Sequence, residues 1–103
     1  MAAIVPFPAK LTAEQAMKKI RRAGKVTDLI GWSTHALEKL GDHLVTRQVL
    51  TVFQAGELKK GPTWSKEYGD WVCVLHKIAA GRRVHIVVGV YERREEVTLI
   101  TVY

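Results

Sequence analysis

Cys73-Val74-Leu75-His76-Lys77-Ile78-Ala79-Ala80-Gly81-Arg82-Arg83-Val84-His85-Ile86-Val87-Val88 is the stretch that decides the fold. Apolar residues alternate with others on both sides of Ala80-Gly81, the signature of two half-buried strands joined by a tight turn. A two-residue turn pairs Ala79 with Arg82. It therefore sets Cys73 against Val88, Leu75 against Ile86 and His76 against His85. Because strand side chains point alternately to opposite faces, this single pairing sorts the hairpin into an inside and an outside.

Working outward, residues 70–78, 82–91 and 96–103 are rich in Val, Ile, Tyr and Trp and read as strands. Pairing Tyr91 with Glu96 brings Val90 against Val97 and Val88 against Leu99. Trp71, Cys73, Leu75, Val84, Ile86, Val88, Val90, Val97, Leu99 and Thr101 then share one face, which is a core face. Val72, Val74, His76, Arg83, His85, Val87, Tyr91, Thr98, Ile100 and Val102 share the other. Residues 57–65 contain Gly61-Pro62 and make at best an irregular or edge strand, since proline cannot donate to a ladder.

Before Gly56 the apolar spacing is helical. Thr12-Ala13-Glu14-Gln15 fits a capping box at a helix start, with Ala13, Ala16, Met17 and Ile20 on one apolar face and Gly24 as its stop. Residues 29–32 read as a short strand or extended entry. Ser33 or Thr34 caps a short second helix carrying His35 in its first turn and Ala36, Leu37 and Leu40 inward. Gly41-Asp42 interrupts it. Thr46 caps a third helix, with Val49, Leu50, Val52 and Phe53 buried and Gly56 ending it. The expected class is α+β: two to three N-terminal helices on one face of a three- to four-stranded antiparallel sheet.

The 103 residues suit a single domain, 1–103, with 1–28 as a basic helical extension and 30–103 as its core. With 48% hydrophobic and 25% charged residues, the composition is that of a folded soluble chain rather than a disordered one. No apolar run approaches the ~18 residues of a membrane span, and the opening residues lack the leading positive charge of a signal peptide. The one cysteine, Cys73, excludes an internal disulfide and suits a reducing compartment, so a cytoplasmic location without membrane contact is expected.

The net charge is +6. Residues 1–30 hold Lys10, Lys18, Lys19, Arg21, Arg22 and Lys25 against Glu14 and Asp28, which makes +4 of that excess. A basic domain is biased toward polyanions. The cluster at Lys18, Lys19, Arg21 and Arg22 has two readings: compensation of the helix dipole, or a face that tracks phosphates.

His76 and His85, opposed across two strands at ~5 Å between Cβ atoms, are close enough to act together, with Arg83 on the same face. Two histidines and an arginine are the parts of a metal-free ribonuclease. One histidine takes the 2′-hydroxyl proton, another protonates the leaving oxygen, and arginine stabilises the charged phosphorane. The plainer alternative is two ordinary half-exposed strand residues. His35 at a helix start would be held neutral by the helix dipole, or would simply tie the helix to the sheet. Four histidines without ligand spacing make no metal site, and no glycine-rich phosphate loop is present, so no metal and no cofactor are expected. Trp64, Tyr68 and Trp71 with Lys60 and Lys66 could stack bases, cap the core or meet a protein partner.

Trp32-Ser33-Thr34-His35-Ala36-Leu37-Glu38-Lys39-Leu40, the Val/Leu helix of residues 45–56, the run Gly81-Arg82-Arg83-Val84-His85-Ile86-Val87-Val88-Gly89-Val90 and the final strand through Thr101-Val102-Tyr103 resemble a small family related to the RelE/BrnT-like toxins. Its members open with Ser/Thr-x-His-Ala-x-Glu-Arg and close on a glycine-turned hairpin; Lys39 stands here where that pattern has arginine. The resemblance covers about residues 30–103. It implies a RelE-like α+β fold, RNA or ribosome-bound RNA as target, and an antitoxin or other protein as partner. His35, Thr101 and Tyr103 map onto the family pattern. The expectation is a metal-independent endoribonuclease with His35, His85, Arg83 and Tyr103 as catalytic residues and Lys18, Lys19, Arg21, Arg22 and Arg82 holding the nucleic acid. The alternative is a non-catalytic inhibitor or regulator of phage or plasmid type, docking through residues 1–30.

Overall fold

The hairpin forms as its alternation requires. In a computed structural model that describes residues 11–40 and 46–103, Ala79 pairs with Arg82 across a two-residue turn, with Cys73 against Val88 and Leu75 against Ile86. Ala80 and Gly81 take φ values of 55° and 77°. Positive φ at both central positions is the turn whose twist matches that of two antiparallel strands.

The chain runs α1 (Ala13–Lys25), a 3-10 turn (Thr27–Leu29), β1 (Ile30–Trp32), α2 (Thr34–Lys39), α3 (Thr46–Ala55), β2 (Glu57–Ser65), β3 (Asp70–Ala79), β4 (Arg82–Val90) and β5 (Val97–Val102). The class is α+β, but the sheet is larger than expected and mixed. It has five strands in the order β1-β5-β4-β3-β2, and β1 lies parallel to β5. Local pattern could not reveal this, because a three-residue strand acquires its direction from a partner some 67 positions away, as in the Ile30–Val97 pair. β2 is an edge strand with two register irregularities around Gly61-Pro62.

One face is the core. Trp71, Cys73, Leu75, Val84, Ile86, Val88, Val90, Val97 and Leu99 are buried there, together with Val49, Val52 and Phe53 of α3 and Leu11, Ala16, Ile20 and Ala23 on and beside α1. The expected face fails at the end of β5. Val88 opposes Leu99, but Val87 opposes Thr101, so Ile100 is bulged. The extra residue reverses the parity beyond it. Val102, expected outside, is buried opposite Ile86, and Thr101, expected in the core, is not. The bulged carbonyl is not left orphaned. Ser33 Oγ donates to Ile100 O at 2.6 Å while accepting from Ala36 N at 3.0 Å, so one hydroxyl satisfies the bulge and caps α2.

The helix starts are local and legible. Thr12 and Gln15 form the reciprocal capping box, at 3.1 and 3.0 Å. Gly24, however, does not end α1. The helix continues to Lys25, and Gly24 is buried where α1 crosses α3. A Cβ there would sit 3.0 Å from Gln54 Cγ and 3.1 Å from Phe53 Cβ. Glycine is needed for close approach of the two helices, and Gln54 Nε2 seals the crossing by donating to Gly24 O at 2.9 Å. Ala13 and Leu37, expected inward, are exposed. The expected interruption at Gly41-Asp42 lies outside the described residues. Among the described residues, no helix is long and apolar enough to cross a membrane.

Candidate functional site

The helices cover one face of the sheet, and the site lies on the other. The hairpin turn sets His76 against His85, and their rings stack at 5.7 Å with planes 17° apart. The bulge in β5 adds a third ring. With parity reversed, Tyr103 meets His85 instead of turning to the core. His85 N donates to Tyr103 O at 2.8 Å, and Tyr103 N donates to His85 O at 3.0 Å. Their rings lie parallel, 1° apart, with centroids at 4.7 Å. His76, His85 and Tyr103 thus form a three-ring stack across β3, β4 and the end of β5.

Two cations hold the histidine nitrogens. Arg83 Nη1 lies 2.8 Å from His76 Nδ1, and Lys59 Nζ lies 3.2 Å from His85 Nε2. A guanidinium and an ammonium only donate, so both ring nitrogens accept. The pKa of His85 is lowered from the usual 6.5, by burial first and then by its electrostatic neighbours Lys59, His76 and Arg83, which favours the neutral ring. A neutral imidazole with its lone pair at Nε2 is base-competent, and the lysine touching it carries a proton to give. Beside the pair, Glu57, His76, Lys77, Ile78 and Arg83 line an open depression of about 370 Å³.

Of the four residues expected to be catalytic, the structure brings three together: His85, Arg83 and Tyr103. His35 is exposed in the first turn of α2 and makes no hydrogen bond or ring contact with the stack. Lys59 was not among the sequence candidates. Leu58 pairs with Leu75 and Lys60 with Val74, so Lys59 is the extra residue of an irregularity in β2, and its side chain reaches over β3 to His85. The adjacent Lys59-Lys60 pair on an edge strand was the one available signal.

The expected phosphate-binding residues divide. Arg82 sits at the exposed hairpin end next to Arg83. Lys18, Lys19, Arg21 and Arg22 lie on α1, in the helical layer, away from the stack. Arg21 turns inward and donates to the carbonyls of Phe53 (3.0 Å) and Gly56 (2.5 Å), where α3 ends. Lys19 Nζ donates to Arg94 O at 2.9 Å, and Arg22 stands 3.8 Å from Glu95. Lys18, Lys19, Arg22 and Lys25 with Glu95 line an open groove of about 650 Å³. Cys73 is buried on the core face and its thiol is pushed up to about 11 by that burial, so it is a packing residue and not a nucleophile. Among the described residues, no cluster of three or more His, Cys, Asp or Glu side chains could hold a metal ion.

Residues 32–103 match the family model described as "Domain of unknown function (DUF4258)", and the chain belongs to that family. No curated protein and no solved structure matches the chain.

Proposed function

We propose that this DUF4258 member is a metal-independent endoribonuclease of the RelE-like toxin type, acting on RNA across the open face of its sheet. The observation that carries the reading is His85 stacked on Tyr103 with Lys59 Nζ at 3.2 Å from its Nε2, and Arg83 alongside on His76. When substrate binds, Lys59 Nζ moves from His85 Nε2 to the 5′-oxygen, and the freed Nε2 takes the proton of a ribose 2′-hydroxyl. The 2′-oxygen attacks phosphorus and the bond to the 5′-oxygen breaks. Lys59 protonates that leaving oxygen, and the products are a 2′,3′-cyclic phosphate and a 5′-hydroxyl. The proton on His85 then returns to Lys59 across their 3.2 Å contact, which resets the pair. Arg83 stabilises the phosphorane charge, His76 orients Arg83, and Tyr103 orients the His85 ring. An antitoxin partner would act by covering this face.

The test is cleavage of end-labelled RNA by the purified chain in the presence of a chelator, beside growth and RNA integrity after induced expression in bacteria. Wild type should leave cyclic phosphate ends. His85→Ala and Lys59→Met should each lose about 10²-fold or more in rate while keeping the wild-type melting temperature. Undiminished cleavage in His85→Ala, or intact RNA with wild type, overturns the proposal.

The basic groove beside α1, on the helical side, favours a second reading: a non-catalytic binder that grips an acidic or nucleic-acid partner there. It requires that wild type cut no RNA yet lose its partner when Lys18 and Arg22 are neutralised.

A further inference from the structure

The exposed face continues past the histidines. Along β3 the side chains on that face run His76, Val74, Val72, so the two valines lie ~7 and ~13 Å from His76 at the usual strand rise. Lys60 pairs with Val74 and Thr63 with Val72, which puts both on the same face. Together with Trp64 and Tyr68 these residues line an open groove of about 320 Å³. Only one of its two aromatic residues presents a ring to the open face. Trp64 is braced against Trp71, ring centroids 5.4 Å apart and edge-on, and packs against the core. Tyr68, in the connection between β2 and β3, is 52% exposed. The floor is the half-buried pair Val72 and Val74.

A flat apolar floor, one exposed aromatic wall and a lysine at the rim are complementary to a flat heterocycle linked to a phosphate. Val74 on the groove floor lies two positions from His76 on the same face of β3, so an extended strand running along β3 from the groove reaches the cationic stretch of Lys59, His76, Arg83 and His85. We propose that this groove is a base-stacking subsite for single-stranded RNA. Tyr68 takes an unstacked base over Val72 and Val74 near the nucleotide held at His85, and Lys60 contacts the phosphate between them. The identity of the polymer rests on the reading of the histidine face as an RNA site; the groove and its aromatic wall do not.

The experiment uses 2′-O-methyl hexauridylate and hexaadenylate, which lack the 2′-hydroxyl nucleophile and cannot be cut, with binding to the full chain read by fluorescence anisotropy. Tyr68→Ala should weaken binding roughly tenfold with the salt dependence unchanged, because stacking is lost and no charge is. Lys60→Gln should weaken binding and flatten the salt dependence by about one phosphate contact. An abasic residue placed at successive positions should cost wild type at one or two of them, and cost Tyr68→Ala nothing further there. Both substitutions are on exposed side chains, and an unchanged melting temperature verifies folding.

Equal binding by wild type and Tyr68→Ala overturns the subsite, as does the absence of binding by wild type, which would leave the groove to a protein partner. Base-coupled binding without cleavage of natural RNA sustains the subsite and refutes the nuclease. Cleavage with Tyr68-indifferent binding does the reverse.

Discussion

Arg21→Met separates two uses of a cation. In a phosphate-tracking role, Arg21 would be replaceable without loss of stability. In the structure its guanidinium instead reaches the C-terminal end of α3, donating to Phe53 O at 3.0 Å and Gly56 O at 2.5 Å, with Val52 O at the 3.5 Å margin. A helix leaves its last carbonyls without intrahelical donors, and its C-terminus carries partial negative charge, so an arginine there supplies both donors and opposite charge. Two charge-assisted hydrogen bonds contribute about 1 kcal/mol each after discounting for partial exposure, and the dipole interaction adds about 0.5 kcal/mol. Methionine preserves most of the aliphatic packing and removes the donors. The expected loss is therefore about 2–3 kcal/mol, or roughly a 10 °C fall in melting temperature for a domain of this size. Urea denaturation followed by circular dichroism measures it, with a lower midpoint at unchanged m-value. Lys18→Met, on an exposed position of the same helix, should move the midpoint by less than about 0.5 kcal/mol. If Arg21→Met melts within a degree of wild type, the assignment of Arg21 to the end of α3 is wrong and the phosphate role regains its claim.

The depressed pKa of His85 should appear directly in a proton NMR titration, with a midpoint below 6.5 in wild type. Removing a nearby cation favours the protonated ring, so Lys59→Met should raise that midpoint toward 6.5 and move the acid limb of any cleavage profile to higher pH; a downward or absent shift would contradict the 3.2 Å contact. Asp70, buried at the start of β3, is paired with Arg94 at 2.8 Å. Arg94→Met strands a buried carboxylate and should cost about 2–4 kcal/mol, whereas Asp70→Asn keeps an acceptor for Arg94 and should cost clearly less. Equal losses in urea denaturation would overturn this reasoning, because removing the carboxylate's charge would then cost as much as stranding it.

Much of the site was legible because it depends on short-range geometry. Once Ala80-Gly81 is read as a two-residue turn, the opposition of His76 and His85 follows by counting, and Arg83 falls on their face by alternation. The capping box at Thr12 is legible for the same reason: donor and acceptor are three residues apart. Counting fails wherever a residue is inserted. The bulge at Ile100 sends Val102 inward and Tyr103 to His85, and the irregularity in β2 frees Lys59 to reach the same ring. Each insertion leaves only a doubled residue type in the pattern, Leu99-Ile100 in β5 and Lys59-Lys60 in β2, and such a doubling does not by itself say which residue is extra.

The sequence by itself determined the elements whose partners are neighbours in the chain: the capped helices, the β3–β4 hairpin with its register, and the division of that hairpin into a core face and a histidine face. Turn chemistry and side-chain periodicity act over a few residues, and they suffice there. Tertiary structure alone decided the parallel pairing of β1 with β5, the close crossing of α1 and α3 at Gly24, the inward turn of Arg21, and the meeting of Lys59, His85 and Tyr103. Each of these joins segments some 18 to 67 positions apart. Such contacts form only where burying the core brings the segments together, and a single chain read in order contains no local signal of that approach.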